Sequence, residues 1–277
     1  MWAMSESDAA LVEAARKGDR RALEELLSRH QGRVFRFGRR MCNDDEDAAD
    51  VLQETLIAAV RTLPEFRGAA SISTWLYTIA RSFCMKRRRT SKFAPPRVDS
   101  LEAEPGRGGS VADPERTPEE HAAGREVGAA LDGAIAALEP MYREVLVLRD
   151  VEGLPASDVA EALGITVDAV KSRLHRARVS VRERVAPALG VGAEGTAPGP
   201  GCRDVVEVFS KRLEGEIDGS ACAELEGHLA TCPHCRGRCD SLRSTLALCK
   251  GAGDAPVPPG VERSVREALA RFLDARA

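Results

Sequence analysis

The sequence predicts an all-α protein with two helical domains followed by a small helical metal-binding domain. Three observations lead to this fold class. Aromatic residues make up only 4% of the 277 residues. Alanine, leucine, glutamate and arginine dominate instead, as is typical of helical proteins. Apolar side chains recur at steps of three and four along much of the chain, whereas the alternation that half-buried strands require is scarce.

Composition and charge exclude several classes of protein. The net charge of −3 does not by itself favour nucleic acid, but Arg81–Lys92 contains six basic residues and no acid. No apolar stretch approaches the roughly 18 residues of a membrane-spanning helix, and the N-terminus lacks the basic start and apolar core of a signal peptide. We therefore expect a cytoplasmic protein that does not contact a membrane. Its eight cysteines would be reduced, so clustered cysteines indicate metal or redox chemistry.

Amphipathic helices are predicted over residues 5–40 and again from Asn43 onward. A charged face on such a helix is most simply a solvated face. The charged face of the helix predicted from Asn43 onward, however, groups acids with one amide and would also suit a basic protein partner. The residues of this face are Asp47, Asp50, Gln53 and Glu54.

A break at Leu63–Gly68 is followed by a loop at 69–73. A helix is then predicted over Trp75–Arg89, with Ser71 or Ser73 as its cap. This helix is apolar in its first half and strongly cationic at its end. Together with the loop it could receive unstacked bases, because cations follow phosphates while aromatic or apolar walls hold bases. The alternative is that its aromatic residues are core and its cations only complement the helix C-terminus.

Residues 154–184 predict two short helices joined by a tight turn. Pro155 suits the first turn of the first helix, and Gly164 suits its end, where a left-handed residue is usual. The second helix has an apolar stripe and, opposite to it, a cationic surface able to form hydrogen bonds. A DNA recognition helix needs both features, although a solvated helix in a bundle would show the same pattern. The outer and flanking residues are Asp168, Lys171, Ser172, Arg173, His175, Arg176 and Arg178.

Three motifs occur in a characteristic order: DAADVLQETLIAAVRTLPEFRG, SISTWLYTIARSFCMKRRR and the helix-turn-helix. From about residue 5 to 185 the chain resembles an extracytoplasmic-function (ECF) sigma factor of bacterial RNA polymerase, a member of the sigma-70 family. The resemblance implies that 47–60 binds the β′ clamp of the polymerase and that 66–74 captures a flipped base of the −10 element. It also implies that 79–89 melts and reads the −10 duplex, and that 171–178 enters the major groove at the −35 element.

The resemblance also assigns roles to individual residues. Polymerase binding falls to Asp47, Asp50, Gln53 and Glu54. DNA binding falls to Arg67, Lys86, Arg87 and Arg88 in the first domain and to Lys171, Ser172, Arg173, His175, Arg176 and Arg178 in the second. The implied organisation is sigma region 2 at 5–90, a flexible acidic linker at 91–124, sigma region 4 at 125–189, a second linker at 190–201 and a cysteine-rich domain at 202–277.

The cysteine-rich domain contains a metal-binding pattern. His228 and Cys232 lie four residues apart and hence on one helical face, and Cys235 follows across a turn that contains proline. Cys202 can supply a fourth ligand from the start of a partner helix. One imidazole and three thiolates form a standard closed zinc site. This domain resembles the zinc-binding anti-sigma fold, which normally belongs to a separate inhibitor but is fused here to its target.

Three further cysteines, Cys222, Cys239 and Cys249, exceed the needs of one tetrahedral site. They are either small buried residues or additional ligands of a thiolate-rich sensor for copper, zinc or cadmium. The second arrangement resembles the metal-responsive ECF sigma factors of myxobacteria that carry a C-terminal cysteine-rich domain.

We therefore predict a non-enzymatic sigma factor that binds core RNA polymerase and promoter DNA and is controlled in cis by zinc, copper or cadmium. A separate anti-sigma factor is compatible with the sequence but not required by it. Three alternatives stay open at this point. They are a sigma factor switched by thiol oxidation, a promoter-binding repressor that does not join polymerase, and a metal buffer with an incidental DNA-binding domain.

Overall fold

The structure is a computed structural model that describes residues 6–42, 45–91, 118–190, 202, 205–252 and 256–275. Within these ranges the chain forms α-helices, one short 3₁₀ turn and one π turn, and no strand, which confirms the all-α prediction. The described residues divide into two compact units. The first comprises those within 1–104, 152–167 and 253–277, and the second those within 105–151 and 168–252.

The helices follow one another along the chain with short connections. The first four are α1 (Glu6–Arg16), α2 (Arg20–Cys42), α3 (Asp45–Thr62) and α4 (Ile72–Ser91), with a 3₁₀ turn at Leu63–Glu65. Next come α5 (Pro118–Ala136), α6 (Pro140–Leu146), the π turn (Val147–Val151), α7 (Ala156–Leu163) and α8 (Val167–Val185). The last four are α9 (Val205–Leu213), α10 (Gly219–Thr231), α11 (Pro233–Gly251) and α12 (Pro259–Asp274).

In the first unit, α2, α3 and α4 pack against one another around an apolar core. Phe37 and Tyr77 meet edge to face there, with ring centroids 5.5 Å apart. The Tyr77 hydroxyl donates a hydrogen bond of 2.9 Å to Glu152 Oε2, and Arg36 pairs with the same carboxylate at 3.4 Å. Burial raises the pKa of Tyr77 well above its ordinary value, and the adjacent Glu152 charge adds to that effect. This buried polar cluster ties α2 and α4 to the residue that follows the π turn.

Two helices from later in the chain belong to the same unit. Helix α7 packs against α4, where Thr74 Oγ1 donates a 3.3 Å hydrogen bond to Asp158 Oδ2. Helix α12 packs along α3. The Arg61 guanidinium lies 5.0 Å from the centre of the Phe272 ring, and Arg20 pairs with Asp274 at 2.8 Å. The C-terminal helix is therefore part of the first unit and covers one side of α3.

The second unit has an apolar core centred on α9 and α11. Helix α11 packs against α5, α9, α10 and the π turn. Val179 of α8 packs against the core cluster and so joins the second helix of the helix-turn-helix to it. The buried members of the cluster are Val205, Val206, Phe209, Leu225, Cys235, Cys239 and Leu242.

Local signals account for several helix ends. Gly164 ends α7 with φ of 66°, a left-handed conformation that glycine adopts without strain, and Ile165 N–H reaches back to the Ala160 carbonyl at 3.0 Å. The Ser71 hydroxyl accepts a 3.1 Å hydrogen bond from Thr74 N–H at the start of α4. Asp218 caps α10 by accepting from Ala221 N–H at 2.8 Å. The turn of the helix-turn-helix therefore lies where glycine predicts it.

The structure differs from the sequence prediction in two places. Helix α5 begins at Pro118, whereas the acidic linker was expected to continue to residue 124. Proline suits a first helical turn, because its missing N–H has no partner there. The helix expected over 140–151 ends at Leu146 and continues as a π turn. The rest of the two predicted linkers and the predicted helix start at Asn43 lie outside the described residues.

None of the described helices is both long enough and apolar enough to cross a membrane.

Replacement of Tyr77 by phenylalanine tests the buried cluster. The substitution removes the hydroxyl that donates to Glu152 and leaves the Arg36–Glu152 pair in place. We expect the free energy of unfolding to fall by about 1–3 kcal/mol, because a buried carboxylate loses a partner. Tyr142→Phe is the matched control, since the Tyr142 hydroxyl bonds to the exposed Arg176. Equal free energies of unfolding for the two variants in urea denaturation would contradict a stabilising role of the Tyr77–Glu152 hydrogen bond.

Candidate metal centre and nucleic-acid interface

One cluster of metal-ligating side chains occurs within the described part of the chain. The ligand atoms of Cys202, His228, Cys232 and Cys235 all lie within 4.8 Å of one another. The Sγ atoms of Cys202 and Cys232 are 3.7 Å apart. Thiolates bonded tetrahedrally to zinc at about 2.3 Å have sulfur–sulfur distances of about 3.8 Å. The four side chains therefore fit a tetrahedral ion of that size.

The corner between α10 and α11 places three of these ligands. His228 lies in the last turn of α10, Cys232 occupies the position between the helices, and Cys235 lies in the first turn of α11. Pro233 starts α11, where its missing N–H costs nothing. Arg236 fixes the corner by donating to the Leu229 carbonyl at 2.9 Å and to the Ala230 carbonyl at 2.6 Å.

The imidazole of His228 supports metal binding independently of the distances. Its Nε2 atom is buried and has no hydrogen-bond partner among the described residues. Buried polar atoms nearly always have a partner, so an orphaned one calls for an explanation. Coordination of a metal by Nε2 would supply one.

The thiols of the cluster differ in acidity. The pKa of Cys232 is lowered, chiefly because the backbone N–H of Cys235 donates to its sulfur. Burial raises the pKa of Cys235 to about 12, and the neighbouring thiols add to this shift. Burial likewise raises the pKa of Cys239 to about 11. A coordinating thiol is held as a thiolate by the charge of a bound divalent ion.

The structure brings together the four principal predicted ligands but not the three additional ones. Cys239 lies one turn beyond Cys235 and is buried in the apolar core. Cys249 is buried near the end of α11, and Cys222 lies in the first turn of α10. These three cysteines therefore lie outside the cluster of ligand atoms.

The predicted polymerase-binding residues form an ion-pair cluster with a predicted DNA-binding residue. Arg87 of α4 pairs with Asp47 and Asp50 of α3 at 3.0 Å each, and with Glu54 at 3.6 Å. Gln53 lies on the same helix and is partly exposed. The guanidinium thus offsets part of the negative charge on this face of α3, a contact that the sequence did not indicate.

The other predicted DNA-binding residues of the first unit are accessible. Arg67 and Lys86 are exposed and Arg88 is partly exposed. Arg67 is followed by Gly68, whose φ of 71° turns the chain toward α4. Trp75 packs on Phe66 with ring centroids 5.0 Å apart, as expected of a core residue.

The predicted DNA-binding residues of α8 occupy different environments. Ser172 and Arg176 are exposed, while Arg173 and His175 are partly buried. Arg176 donates to the Tyr142 hydroxyl at 3.2 Å. Lys171 pairs with Glu216 at 3.0 Å.

Arg178 is not on the outer face, because its side chain is only 3% exposed. It forms a bidentate ion pair with the Asp150 carboxylate of the π turn, with N–O distances of 2.6 and 2.8 Å. It also pairs with Glu214 at 2.8 Å and donates to Ser210 Oγ at 3.1 Å. The residue follows Ala177 on the buried stripe of α8, so its position on the helix turns it inward.

Sequence reasoning missed the acidic partners of α8. Glu214 also accepts from Arg149 at 3.1 Å, and Glu216 completes an acidic turn between α9 and α10. The sequence does contain a signal for this contact, because Glu214 and Glu216 bracket Gly215 and lie C-terminal to the cationic helix α8. Charge complementarity between those two segments could have indicated the contact.

Comparisons with known proteins agree with this arrangement. The family model for Sigma-70 region 2 matches residues 26–93, that for Sigma-70 region 4 matches 128–181, and a zinc-finger family model matches 202–236. The RNA polymerase sigma-H factor of Pseudomonas aeruginosa is 33% identical over 186 residues, which span 66% of this chain and 96% of that protein. The ECF RNA polymerase sigma-E factor of Haemophilus influenzae is 32% identical over 185 residues, or 66% and 97% of the two chains.

Among solved structures, CnrH in complex with the cytosolic domain of CnrY is similar at 24% identity and a TM-score of 0.47, over 64% of this chain and 96% of that one.

The chain belongs to the ECF sigma factors of the sigma-70 family. Sigma factors bind core RNA polymerase and promoter DNA and start transcription without being enzymes. The predicted family, fold class and partners are confirmed. The fused zinc-finger region extends beyond the part of the chain that these relatives share.

Replacement of Arg178 by methionine tests whether this residue supports the fold or contacts DNA. The change leaves Asp150 as a buried carboxylate without its guanidinium, so we expect a loss of about 3–5 kcal/mol in the free energy of unfolding. The exposed Arg176→Met is the control, expected to change stability by less than about 0.5 kcal/mol. Thermal or urea denaturation measures both. If Arg178→Met keeps its stability but loses affinity for −35 DNA, the structural role is wrong.

Proposed function

We propose that this sigma factor is controlled in cis by a metal ion, zinc in the first place, held by Cys202, His228, Cys232 and Cys235. One observation carries the proposal: the cysteine ligands belong to the same apolar core that packs against the DNA-reading helix α8. The metal site and the promoter-binding surface therefore share one packed structure.

The shared core supplies a physical link between the two. Cys202, Cys232 and Cys235 pack with Phe209 and Leu242 in the core, and Val179 of α8 packs against the same cluster. When bound, a tetrahedral ion would cross-link the segment before α9 to the corner between α10 and α11. Residues that are ordered by such a cross-link gain stability, because a metal site contributes its binding free energy to folding. Loss of the ligands would loosen the surface that holds Val179.

The acidic turn supplies the second link. Glu214 accepts from Arg149 and Arg178, and Glu216 accepts from Lys171. Lys171 is a predicted DNA-binding residue at the −35 element, and contacts of lysine with phosphate contribute much of the affinity of proteins for DNA. A carboxylate on Lys171 competes with a DNA phosphate for the same ammonium group. We infer that the docked domain inhibits promoter binding and that its release activates the factor.

The first unit offers a parallel contact at the polymerase-binding helix. We assign core polymerase binding to Asp47, Asp50, Gln53 and Glu54 of α3. Helix α12 packs along the same helix through Phe272 on Arg61, while Val265 and Ala268 are buried. Helix α12 thus lies against the helix that we propose binds the clamp, so the C-terminal segment contacts both proposed functional helices.

Control by metal requires that the ion bind the docked and released states with different affinity. The ligands come from two places in the sequence, Cys202 and the 228–235 segment, which the docked state holds together. A tetrahedral set of one imidazole and three thiolates suits zinc. Copper(I) and cadmium also prefer thiolates and are the competing ions.

We place the protein in the cytoplasm, where it acts with the polymerase.

The Cys202–Cys232 separation of 3.7 Å also favours a second candidate, release of the domain by oxidation of these thiols. The two mechanisms predict different inducers. Activity that follows diamide and ignores added metal would favour oxidation, whereas a response to metal under reducing conditions would favour ligand exchange.

Run-off transcription with core polymerase tests control by metal. We expect wild-type activity to change when zinc, copper or cadmium is titrated under reducing conditions, and the Cys232→Ala/Cys235→Ala variant to be active without any response. The variant loses two ligands and with them the cross-link that holds the domain docked. Cys222→Ala is the control, because Cys222 lies outside the cluster.

A double variant that responds to metal as wild type does would rule out this site. Failure of the wild-type protein to bind core polymerase at all would instead revive a promoter-binding repressor.

Substitution of the acidic turn tests inhibition of DNA binding. Glu216→Gln removes the carboxylate that pairs with Lys171 and leaves the buried Arg178–Glu214 pair in place, so we expect about tenfold tighter binding to −35 DNA. The salt dependence should steepen by about 0.9 in log–log slope for each cation that gains a phosphate. Glu226→Gln is the control, because Glu226 of α10 pairs with Arg212 of α9. Fluorescence anisotropy at several salt concentrations measures both quantities. Unchanged affinity with an unchanged slope would contradict the proposal.

A further inference from the structure

We propose that Cys42 and Cys84 form a second thiol site, in sigma region 2, which hydrogen peroxide converts into an intramolecular disulfide without involving the metal centre. Their Sγ atoms lie 3.7 Å apart although the residues are 42 positions apart in sequence. Cys42 is the last residue of α2, and Cys84 lies in α4, which packs against α2. Neither residue belongs to the metal-binding cluster found in the described ranges.

The different exposure of the two thiols gives each a role. Cys42 is partly exposed, whereas Cys84 is only 1% exposed. A peroxide therefore reaches Cys42 first, and Cys84 is the adjacent resolving thiol that oxidation-sensitive cysteines often have. A disulfide bond of about 2.05 Å requires the two sulfur atoms to approach by roughly 1.7 Å. Rotation of the Cys42 side chain about its Cα–Cβ bond can supply most of that movement.

The reaction balances with hydrogen peroxide as the only oxidant. The Cys42 thiolate attacks one peroxide oxygen, the O–O bond breaks, and a sulfenic acid forms while the other oxygen leaves as water after protonation. The Cys84 sulfur then attacks the sulfenic sulfur. The S–O bond breaks, and the departing hydroxide takes the Cys84 proton to form a second water. Two thiols and one peroxide thus give one disulfide and two waters.

The position of the cross-link predicts its consequence for the sigma factor. Cys84 precedes Arg87 by three residues on α4, and hence lies on the same face of that helix. Arg87 reaches across to Asp47 and Asp50 of α3, each at 3.0 Å. A bond from α4 to the end of α2 would hold Arg87 beside these acids. This consequence rests on the proposed roles of α3 and α4, and it predicts weaker promoter opening by the oxidised protein.

Peptide mapping of the full-length protein tests the site itself. Zinc-loaded protein is treated with hydrogen peroxide, alkylated and digested, while a chromogenic chelator reports zinc release. We expect a Cys42–Cys84 cross-linked peptide at peroxide concentrations that release no zinc. In Cys84→Ser we expect Cys42 to accumulate as sulfenic and sulfinic acid. In Cys42→Ser the buried Cys84 should stay reduced, and Cys222→Ser should behave as wild type.

If either serine variant fails to fold, peptide mapping of the wild-type protein is sufficient to test the Cys42–Cys84 site. Sulfinic acid at Cys42 beside a reduced Cys84, or cross-links from Cys42 only to cysteines of the 202–249 segment, would overturn the proposal.

Promoter opening by the polymerase holoenzyme separates this site from metal control. Peroxide should lower opening severalfold in the Cys232→Ala/Cys235→Ala variant, which lacks the metal site, and dithiothreitol should restore it. Cys42→Ser in the same background should be insensitive. Loss of peroxide sensitivity in the variant that lacks the metal site would show that the two sites are not independent and would overturn the inference, whatever the outcome of the metal titration.

Discussion

The buried guanidinium of Arg178 is the contact on which the arrangement of α8 depends. It lies between Asp150 of the π turn and Glu214 of the C-terminal domain, with both carboxylates within 2.8 Å. Charges that leave water must be paired closely, and removal of one partner strands the others. The irregular backbone at Val147–Val151 carries Asp150 into this position. Helix α8 is thus joined by one residue both to its own sigma region and to the fused domain.

In the proposed mechanism, this interaction links the metal site to sigma activity. Helices α8 and α3, which we propose to contact DNA and polymerase, are both contacted by the C-terminal part of the chain. The contact on α8 is made by a core that contains three of the four metal ligands. In this proposal inhibitor and target are in one chain, so the effective concentration of the inhibitory contact does not depend on a partner's abundance. The proposed control then acts through the stability of the docked domain.

Sequence reasoning predicted those features that depend on local patterns. Apolar periodicity predicted the helices, Gly164 predicted the turn between α7 and α8, and the spacing of His228, Cys232 and Cys235 predicted side chains that the structure brings together. Cys202, predicted as the fourth ligand from the start of the partner helix, lies in the same cluster.

Features that depend on long-range packing were missed. The burial of Arg178 follows from a π turn that a regular helical pattern does not indicate. The Arg87 cluster, the acidic turn at 214–216 and the Cys42–Cys84 pair each join residues from different helices. Periodicity predicts which face of a helix a residue occupies but not which element packs against that face. The sequence alone therefore could not exclude Cys222, Cys239 and Cys249 as ligands. Only the packed structure separates them from the cluster.

The central claim is that the metal-bound core holds the acidic turn on α8, and the reactivity of Lys171 tests it most directly. Its ammonium group pairs with Glu216 at 3.0 Å and its side chain is 26% exposed, whereas Lys211 of α9 is 47% exposed. Acetylation of the zinc-loaded and chelator-treated protein, read by mass spectrometry, compares the two lysines in one sample. The account predicts that metal removal raises labelling of Lys171 severalfold and leaves Lys211 unchanged. Equal labelling of Lys171 with and without metal would contradict it.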